Sequence, residues 1–302
     1  MKKLIILIII IITIATGCSS NRDNLQESNN SLNVIVSIEP QRTFVKKVTG
    51  ELANINVVIP EGYSPANYQP SPKEIQDISS GEVYFSIGVE SEKSFILPKL
   101  GDLNKEIELI DLQKKVIKKH EVLHIDDQDQ DEDHGHGHEE GEIDPHIWLS
   151  PKRVITIVEI VRDYMIENDE ANKKEYNENA SEYIKELNNL NEDLVDTFKG
   201  LENKAFIIYH PAFSYFASDY GLEMITIEED GKEATAKRIQ KVVDFALEND
   251  IKVIFYQNEF DSSQANIIAN EIDGEVVEVA PLSGNYIENM YKIRDKFAEV
   301  LK

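Results

Sequence analysis

The sequence predicts an α/β protein with two lobes, each a four-stranded parallel sheet flanked by helices, joined by one long linker helix. Short runs rich in β-branched residues alternate with helical patterns, which is typical of parallel sheets with helices on both faces. The runs fall into two groups of four, separated by a long stretch without glycine or proline. The predicted strands are Val34–Ile38, Ile55–Ile59, Val83–Ile87 and Ile107–Ile110, followed by Ala205–Tyr209, Met224–Ile227, Val253–Tyr256 and Val276–Val279.

The stretch between the two groups predicts the linker helix. After a predicted helix over Pro151–Glu167, the chain from Ala171 to Phe198 carries apolar residues every three or four positions, which form one stripe of a single helix. At about 1.5 Å per residue this helix is roughly 42 Å long, enough to pack along both lobes. The alternative is two shorter helices with a kink near Asn188 and Asn189. The stripe consists of Tyr176, Ala180, Tyr183, Leu187, Leu190, Leu194 and Phe198.

Composition excludes several classes of function. The 302 residues contain 31 Lys and Arg against 56 Asp and Glu, a formal charge of −25, whereas nucleic-acid binding requires cationic side chains that neutralise phosphates. Nucleic acid is therefore not an expected partner. The single cysteine excludes an internal disulfide framework and any zinc or iron–sulfur site built from several thiolates.

The N-terminus predicts export and a lipid anchor. Two lysines precede an apolar run from Leu4 to about Thr16, which is too short to span a bilayer and indicates a signal peptide over residues 1–17. The following Cys18 lies in a segment that resembles the lipobox of bacterial lipoproteins, where the cysteine is acylated. The alternative is an ordinary signal peptide with an incidental cysteine. Residues 18–32 are polar and predict the anchor and a flexible tether, which places the protein outside the cytoplasm on the bacterial cell membrane.

One low-complexity stretch interrupts the first lobe. Residues 126–144 contain ten carboxylates and three histidines, and predict a mobile loop. His134, His136 and His138 alternate with glycines among the carboxylates, a composition that binds zinc weakly and transiently. We interpret them as a metal recruitment loop; the alternative is a solvated acidic surface loop without a ligand.

The strand ends select the candidate site. Ligands of open parallel sheets sit beyond the carboxyl ends of the strands. His210 follows the fifth predicted strand, and His146 closes the acidic loop; each lies beside a proline turn, one in each lobe. Imidazole is a good ligand for divalent zinc, although a lone histidine at such a place is often a hydrogen-bonded structural residue. The other strand ends carry Glu39, Glu61, Gly88, Asp111, Glu228, Glu229, Gln257 and Ala280.

Five segments carry a family resemblance. They are VSIEPQRTFV (36–45), GYSPANYQPSP (62–72), DPHIWLSP (144–151), YHPAFSYF (209–216) and GKE (231–233). In this order they resemble the solute-binding lipoproteins of zinc and manganese ABC importers, the cluster A-I metal-binding proteins, from Asn33 to Lys302. The resemblance implies two lobes bridged by one rigid helix with the metal held between them, and a histidine-rich loop is a feature of the zinc-type members.

The resemblance implies that His146 and His210 are metal ligands. At two positions this chain departs from the family pattern. Ala66 stands where the family has its first histidine, and Ala280 stands where it has an acidic ligand. Glu228 and Gln257 are the leading predicted replacements, and Gln257 is alternatively a group that orients a ligand. Further candidates are Glu39, Tyr68, Glu229 and Glu259, while His120 and His124 are assigned no role.

The predicted function is capture of a divalent transition metal, Zn²⁺ with Mn²⁺ as the second candidate, for delivery to an ABC permease and its cytoplasmic ATPase. The expected domains are an N-terminal lobe over 33–168, the linker helix over 169–200 and a C-terminal lobe over 201–302. One alternative is a surface adhesin on the same scaffold, which the two alanines favour. A zinc hydrolase is the other, but the sequence lacks the His-Glu-x-x-His spacing of such enzymes, and no enzyme is predicted.

Overall fold

The computed structural model describes residues 31–125, 142–229 and 232–301, and the predicted fold class is confirmed. It contains two four-stranded parallel sheets, with strand orders β2-β1-β3-β4 and β6-β5-β7-β8. Every strand lies within two residues of its predicted bounds. The strands are β1 (Leu32–Val36), β2 (Ala53–Val57), β3 (Val83–Ser86), β4 (Glu108–Asp111), β5 (Ala205–Ile208), β6 (Glu223–Thr226), β7 (Val253–Gln257) and β8 (Glu275–Val279).

Helices follow the strands in both lobes. Within the described ranges, none is long and apolar enough to cross a membrane. In the first lobe they are α1 (Glu39–Thr49), α2 (Pro72–Ile78), a π-helix (Glu92–Ile96), α3 (Leu97–Leu103) and α4 (Leu112–Val116). Next come a 3₁₀ turn (Ile147–Leu149), α5 (Pro151–Asn168), a second 3₁₀ turn (Glu170–Asn172) and α6 (Lys173–Phe198). The second lobe contains α7 (Ser214–Tyr220), α8 (Ala236–Glu248), α9 (Ser263–Glu271) and α10 (Tyr286–Val300).

The linker helix α6 is one uninterrupted helix, so the alternative of two helices with a kink near Asn188 is wrong. All the residues of its predicted apolar stripe are buried. The helix packs against α5, against α1 of the first lobe and against α10 of the second. It begins two residues later than predicted because Glu170–Asn172 forms a 3₁₀ turn, where Asp169 accepts hydrogen bonds from Asn172 and Tyr176.

The larger of two hydrophobic clusters connects the lobes. One cluster of buried side chains extends from β1 and β3 through α5 and α6 to β5 and α10, and a second cluster lies between β5, β7, α8 and α9. Polar contacts also cross between the lobes: the Trp148 indole donates to the carbonyl of Pro281 at 3.1 Å. Arg153, which is 4 % exposed, lies 3.2 Å from the Asp219 carboxylate. The lobes are thus joined by apolar packing as well as by the helix.

Candidate metal centre

The structure brings His146 and His210 together. His146 immediately precedes the 3₁₀ turn that leads into α5, and His210 lies two residues beyond the end of β5. Their Nε2 atoms are 3.2 Å apart, and their ring centroids are 5.1 Å apart at an interplanar angle of 74°. Each ring also contacts an aromatic side chain, Trp148 for His146 and Phe260 for His210. The two histidines therefore approach one point from different lobes.

A carboxylate holds the other nitrogen of each ring. His146 Nδ1 lies 2.7 Å from Asp144 Oδ1, and His210 Nδ1 lies 2.8 Å from Glu228 Oε2. An ionised carboxylate only accepts hydrogen bonds, so each Nδ1 carries the donated proton. In the neutral imidazole this leaves the lone pair on Nε2, the arrangement that presents a histidine to a metal ion.

The separation of the two Nε2 atoms matches a shared cation. Two lone pairs facing each other at this distance repel, and either one proton or one metal ion between them removes the repulsion. Tetrahedral zinc holds each imidazole nitrogen at about 2.0–2.1 Å, which places two such nitrogens roughly 3.3 Å apart. The observed 3.2 Å is close to that spacing.

Burial and charge favour the form of these groups that binds metal. Burial lowers the pKa of His210, and the hydrogen bond with Glu228 offsets part of this effect. Burial alone would raise the pKa of Asp144, but its hydrogen bonds with the ring and backbone of His146 help to lower it overall. At neutral pH the site therefore combines a neutral His210 with an ionised Asp144.

Gln257 lies at the site, but its amide is engaged on the backbone. Its Oε1 accepts from the amide nitrogen of His210 at 3.2 Å, and its Nε2 donates to the carbonyl of His210 at 2.7 Å. The contact arises because β5 and β7 are neighbours in the sheet. Through these bonds the amide of Gln257 holds the backbone of His210. Whether Gln257 is a direct ligand or orients His210 stays a prediction with both alternatives open. Glu228 stands behind the His210 ring, and its role as a direct ligand stays a prediction.

The remaining candidates are engaged elsewhere or stand apart. Glu39 pairs with Arg42 at 3.3 Å, Tyr68 donates to Glu74 at 2.6 Å, and Glu229 accepts from Thr235. Burial raises the pKa of Glu259 to about 7. His120 bonds Thr156 at 2.8 Å, and His124 pairs with Ile143 in an antiparallel bridge.

The four side chains of the site lie in a row, in the order Asp144, His146, His210 and Glu228, and do not surround one point. Across residues 31–125, 142–229 and 232–301, no group of three or more His, Cys, Asp or Glu side chains is placed to hold one ion. Asp144 and Glu228 lie on the outer ring nitrogens, so only the two Nε2 atoms face a common point. Cys18, the predicted signal peptide and His134, His136 and His138 lie outside the described residues. So does the predicted tether over 18–32, except for its last two residues, of which Leu32 is the first residue of β1.

Sequence reasoning missed the partner of His146. Asp144 belongs to the Asp-Pro-His segment, but the sequence patterns assign it no specific role. The signal is its spacing of two residues, which lets its carboxylate accept from both the backbone nitrogen and Nδ1 of His146. The carbonyl of Asp144 in turn accepts from Gln113 and Tyr215, which the strand-end rule does not select.

Comparison with known proteins identifies the family. The family ZnuA, zinc-uptake complex component A, periplasmic, matches residues 34–300. The chain belongs to this family. The match confirms the resemblance deduced from the sequence segments.

Individual relatives agree with the family assignment. Zinc-binding lipoprotein AdcA of Streptococcus pneumoniae is 28 % identical over 309 residues, covering 97 % of this chain and 60 % of AdcA. The chain thus spans about three-fifths of the length of that relative. Manganese-binding lipoprotein MntA of Halalkalibacterium halodurans is 26 % identical, covering 97 % of this chain and 96 % of MntA. A crystal structure of ZnuA superposes with a TM-score of 0.81 at 30 % identity, covering 90 % of this chain and 100 % of that one.

Proposed function

We propose that this protein captures one divalent transition-metal ion between its lobes, outside the cytoplasm, and delivers it to an ABC permease driven by a cytoplasmic ATPase. The observation that carries the proposal is the pair of imidazoles from different lobes, with Nε2 atoms 3.2 Å apart and a carboxylate on each Nδ1. The names of the relatives, a zinc-binding and a manganese-binding lipoprotein, support the same class of cargo.

Donor chemistry favours zinc over manganese as the cargo. Imidazole suits zinc and its neighbours, whereas manganese prefers carboxylates, carbonyls and water. Both atoms that face the common point are imidazole nitrogens, while the carboxylates of Asp144 and Glu228 stand behind them. Mn²⁺ is the second candidate cargo.

Two further parts of the proposal concern segments outside the described residues. Acylation of Cys18 would tether the protein to the membrane bilayer beside its permease. His134, His136 and His138 would collect zinc near the site, because the chain after their loop is bonded to Ile125 through the carbonyl of Glu142, two residues before Asp144. Both roles rest on the sequence pattern.

Zinc titration of the untagged protein tests the proposal. We expect His146→Ala and His210→Ala each to lower zinc affinity by more than about 100-fold, because removal of a ligand costs more than the 10–100-fold typical of the groups behind it. His120→Ala is the matched control, since this histidine bonds Thr156 instead. Wild-type affinity in both site variants would refute the proposed ligands, and a wild-type protein that binds no zinc or manganese would favour the adhesin alternative.

A further inference from the structure

The hydroxyl group of a buried tyrosine links the two histidine segments. Tyr215, in α7 of the second lobe, follows His210 by five residues and is completely buried. Its hydroxyl lies 3.2 Å from the carbonyl of Asp144, the residue whose carboxylate orients His146. A side chain of the His210 segment therefore contacts the backbone that positions His146.

The same hydroxyl also holds the chain segment paired with Asp144. It accepts from the amide nitrogen of Leu123 at 3.3 Å and lies 3.4 Å from the carbonyl of Leu123. That carbonyl accepts a backbone hydrogen bond from the amide of Asp144 at 2.9 Å. The Tyr215 hydroxyl thus lies where the segments of Leu123 and Asp144 pair. It has one proton, which it donates to the carbonyl oxygen of either Asp144 or Leu123.

The ring of Tyr215 is fixed from its other side. The Arg153 guanidinium lies 4.1 Å from the ring centroid, close enough for a cation–π contact. Arg153 is itself held by Asp219, one helical turn after Tyr215 in α7, and by the carbonyl of Glu121. Burial raises the pKa of the phenol, so the hydroxyl keeps its proton at neutral pH.

Gln113 contacts the same carbonyl but connects different parts of the protein. Its Nε2 lies 3.3 Å from the carbonyl of Asp144. Gln113 lies in α4, so this bond joins Asp144 only to other residues of the first lobe. Of these two donors, only Tyr215 joins Asp144 to the segment that carries His210.

We propose that Tyr215 is a positioning residue for metal binding, which sets the separation of His146 and His210 by tying the Asp144 backbone to the helix that follows His210. The inference rests on the proposed capture of metal by this histidine pair. Loss of the hydroxyl leaves both histidines and both carboxylates in the chain but frees the Asp144 segment to shift relative to α7. Loss of the hydroxyl should therefore lower metal affinity and not only the stability of the fold.

The test compares Tyr215→Phe with Tyr220→Phe. Tyr220 is the matched control because it lies on the same helix, is buried, and makes one hydroxyl hydrogen bond, to Asn191 at 3.1 Å, away from the histidines. Each variant loses one phenolic hydroxyl, but that of Tyr215 makes more hydrogen bonds, so we expect the melting temperature of the metal-free full chain to fall in both variants and at least as far in Tyr215→Phe. Only Tyr215→Phe should lower zinc affinity, by about 10-fold.

Two additional readouts separate positioning from a general loss of stability. The d–d absorption spectrum of Co²⁺ bound to Tyr215→Phe should differ from that of wild type, whereas Tyr220→Phe should match it. Hydrogen exchange at the Leu123 amide, measured without metal, should accelerate in Tyr215→Phe alone, because its acceptor is gone. Equal zinc affinity and equal Co²⁺ spectra in the two variants would overturn the inference while leaving the proposed function intact. A wild-type chain that binds neither ion would overturn both.

Discussion

Asp144 and Glu228 reach their histidines by different routes. Asp144 bonds a ring two residues away in the same turn, so this contact depends only on local backbone geometry. Glu228 bonds a ring 18 residues away and depends on the pairing of β5 with β6, in which Ile208 stands opposite Thr226. Both carboxylates fix the tautomer of the histidine and raise its basicity as a ligand.

Replacement of Glu228 by glutamine tests this role of the carboxylate. The amide oxygen of Glu228→Gln can still accept from His210 Nδ1, but it lacks the negative charge, so zinc affinity should fall by about 10-fold to 100-fold at neutral pH. The measurement is competition titration against a zinc indicator. Glu229→Gln is the matched control, because the Glu229 carboxylate bonds Thr235.

The difference between Glu228→Gln and wild type should also depend on pH. Burial lowers the pKa of His210, while the bond with Glu228 raises it, so the variant should have a still lower pKa. Protons then compete with zinc at His210 more strongly in wild type as the pH falls. The ratio of the two affinities should therefore be largest at neutral to alkaline pH and should shrink in acid. Equal affinity of the Glu228 and Glu229 variants would contradict the assigned role.

At the scale of single residues, the sequence predicts which residues lie at the site better than it predicts which atoms they contact. The proline turns and strand ends selected His146 and His210, and the structure places them together. Gln257 was also selected as lying at the site, but whether its amide faces the metal or the His210 backbone depends on how β7 lies beside β5. That arrangement is a property of the folded sheet.

The acidic loop leaves and rejoins the body at one place. The amide of Ile125 donates to the carbonyl of Glu142 at 2.8 Å, and His124 and Ile143 form an antiparallel bridge. The amide of Asp144 then donates to the carbonyl of Leu123 at 2.9 Å. The base of the loop is therefore hydrogen-bonded independently of residues 126–141.

Because the base is closed, the loop can be removed without opening the site. Replacement of residues 126–141 by Asn-Gly, which favours a two-residue antiparallel connection, should keep the affinity of the tight site within about threefold. The total number of zinc ions bound should fall, because the histidines of the loop are gone. Calorimetric titration measures both quantities.

A full-length variant provides the control for the deletion. Replacement of His134, His136 and His138 by alanine keeps the length and the carboxylates of the loop, and should lower the zinc stoichiometry in the same direction. Loss of the tight site in either protein would mean that a loop histidine is one of its ligands. In that case the pair of His146 and His210 would be only part of the site.

The regular elements were predictable because their patterns are strong. The β-branched runs located every strand, and the apolar stripe located α6. The π-helix Glu92–Ile96 has no such periodic signal. Its start depends on the buried Glu92 carboxylate, which accepts from the backbone nitrogens of Ile87 and Gly88 beyond the end of β3. Such a contact arises only when these segments are already packed together.

At the scale of the whole molecule, the connections between the lobes oppose a large hinge motion. Helix α6 packs against elements of both lobes, and the hydrophobic core is continuous between them. The contacts of Trp148 with Pro281 and of Arg153 with Asp219 add polar links between the lobes. Metal uptake and release are therefore expected to involve the loops that carry His146 and Glu228.

Small-angle scattering with and without zinc tests this rigidity. The radius of gyration should change by less than about 1 Å on zinc binding, which is small beside the roughly 19 Å expected for a body of this size. Asp219→Asn is the informative control, because it weakens the ion pair with Arg153 and leaves α6 intact. If α6 supplies the rigidity, the variant should also change by less than about 1 Å. Contraction of the variant alone would assign the rigidity to the ion pair, and contraction of the wild-type protein by more than 1 Å would show that neither connection holds the lobes in place.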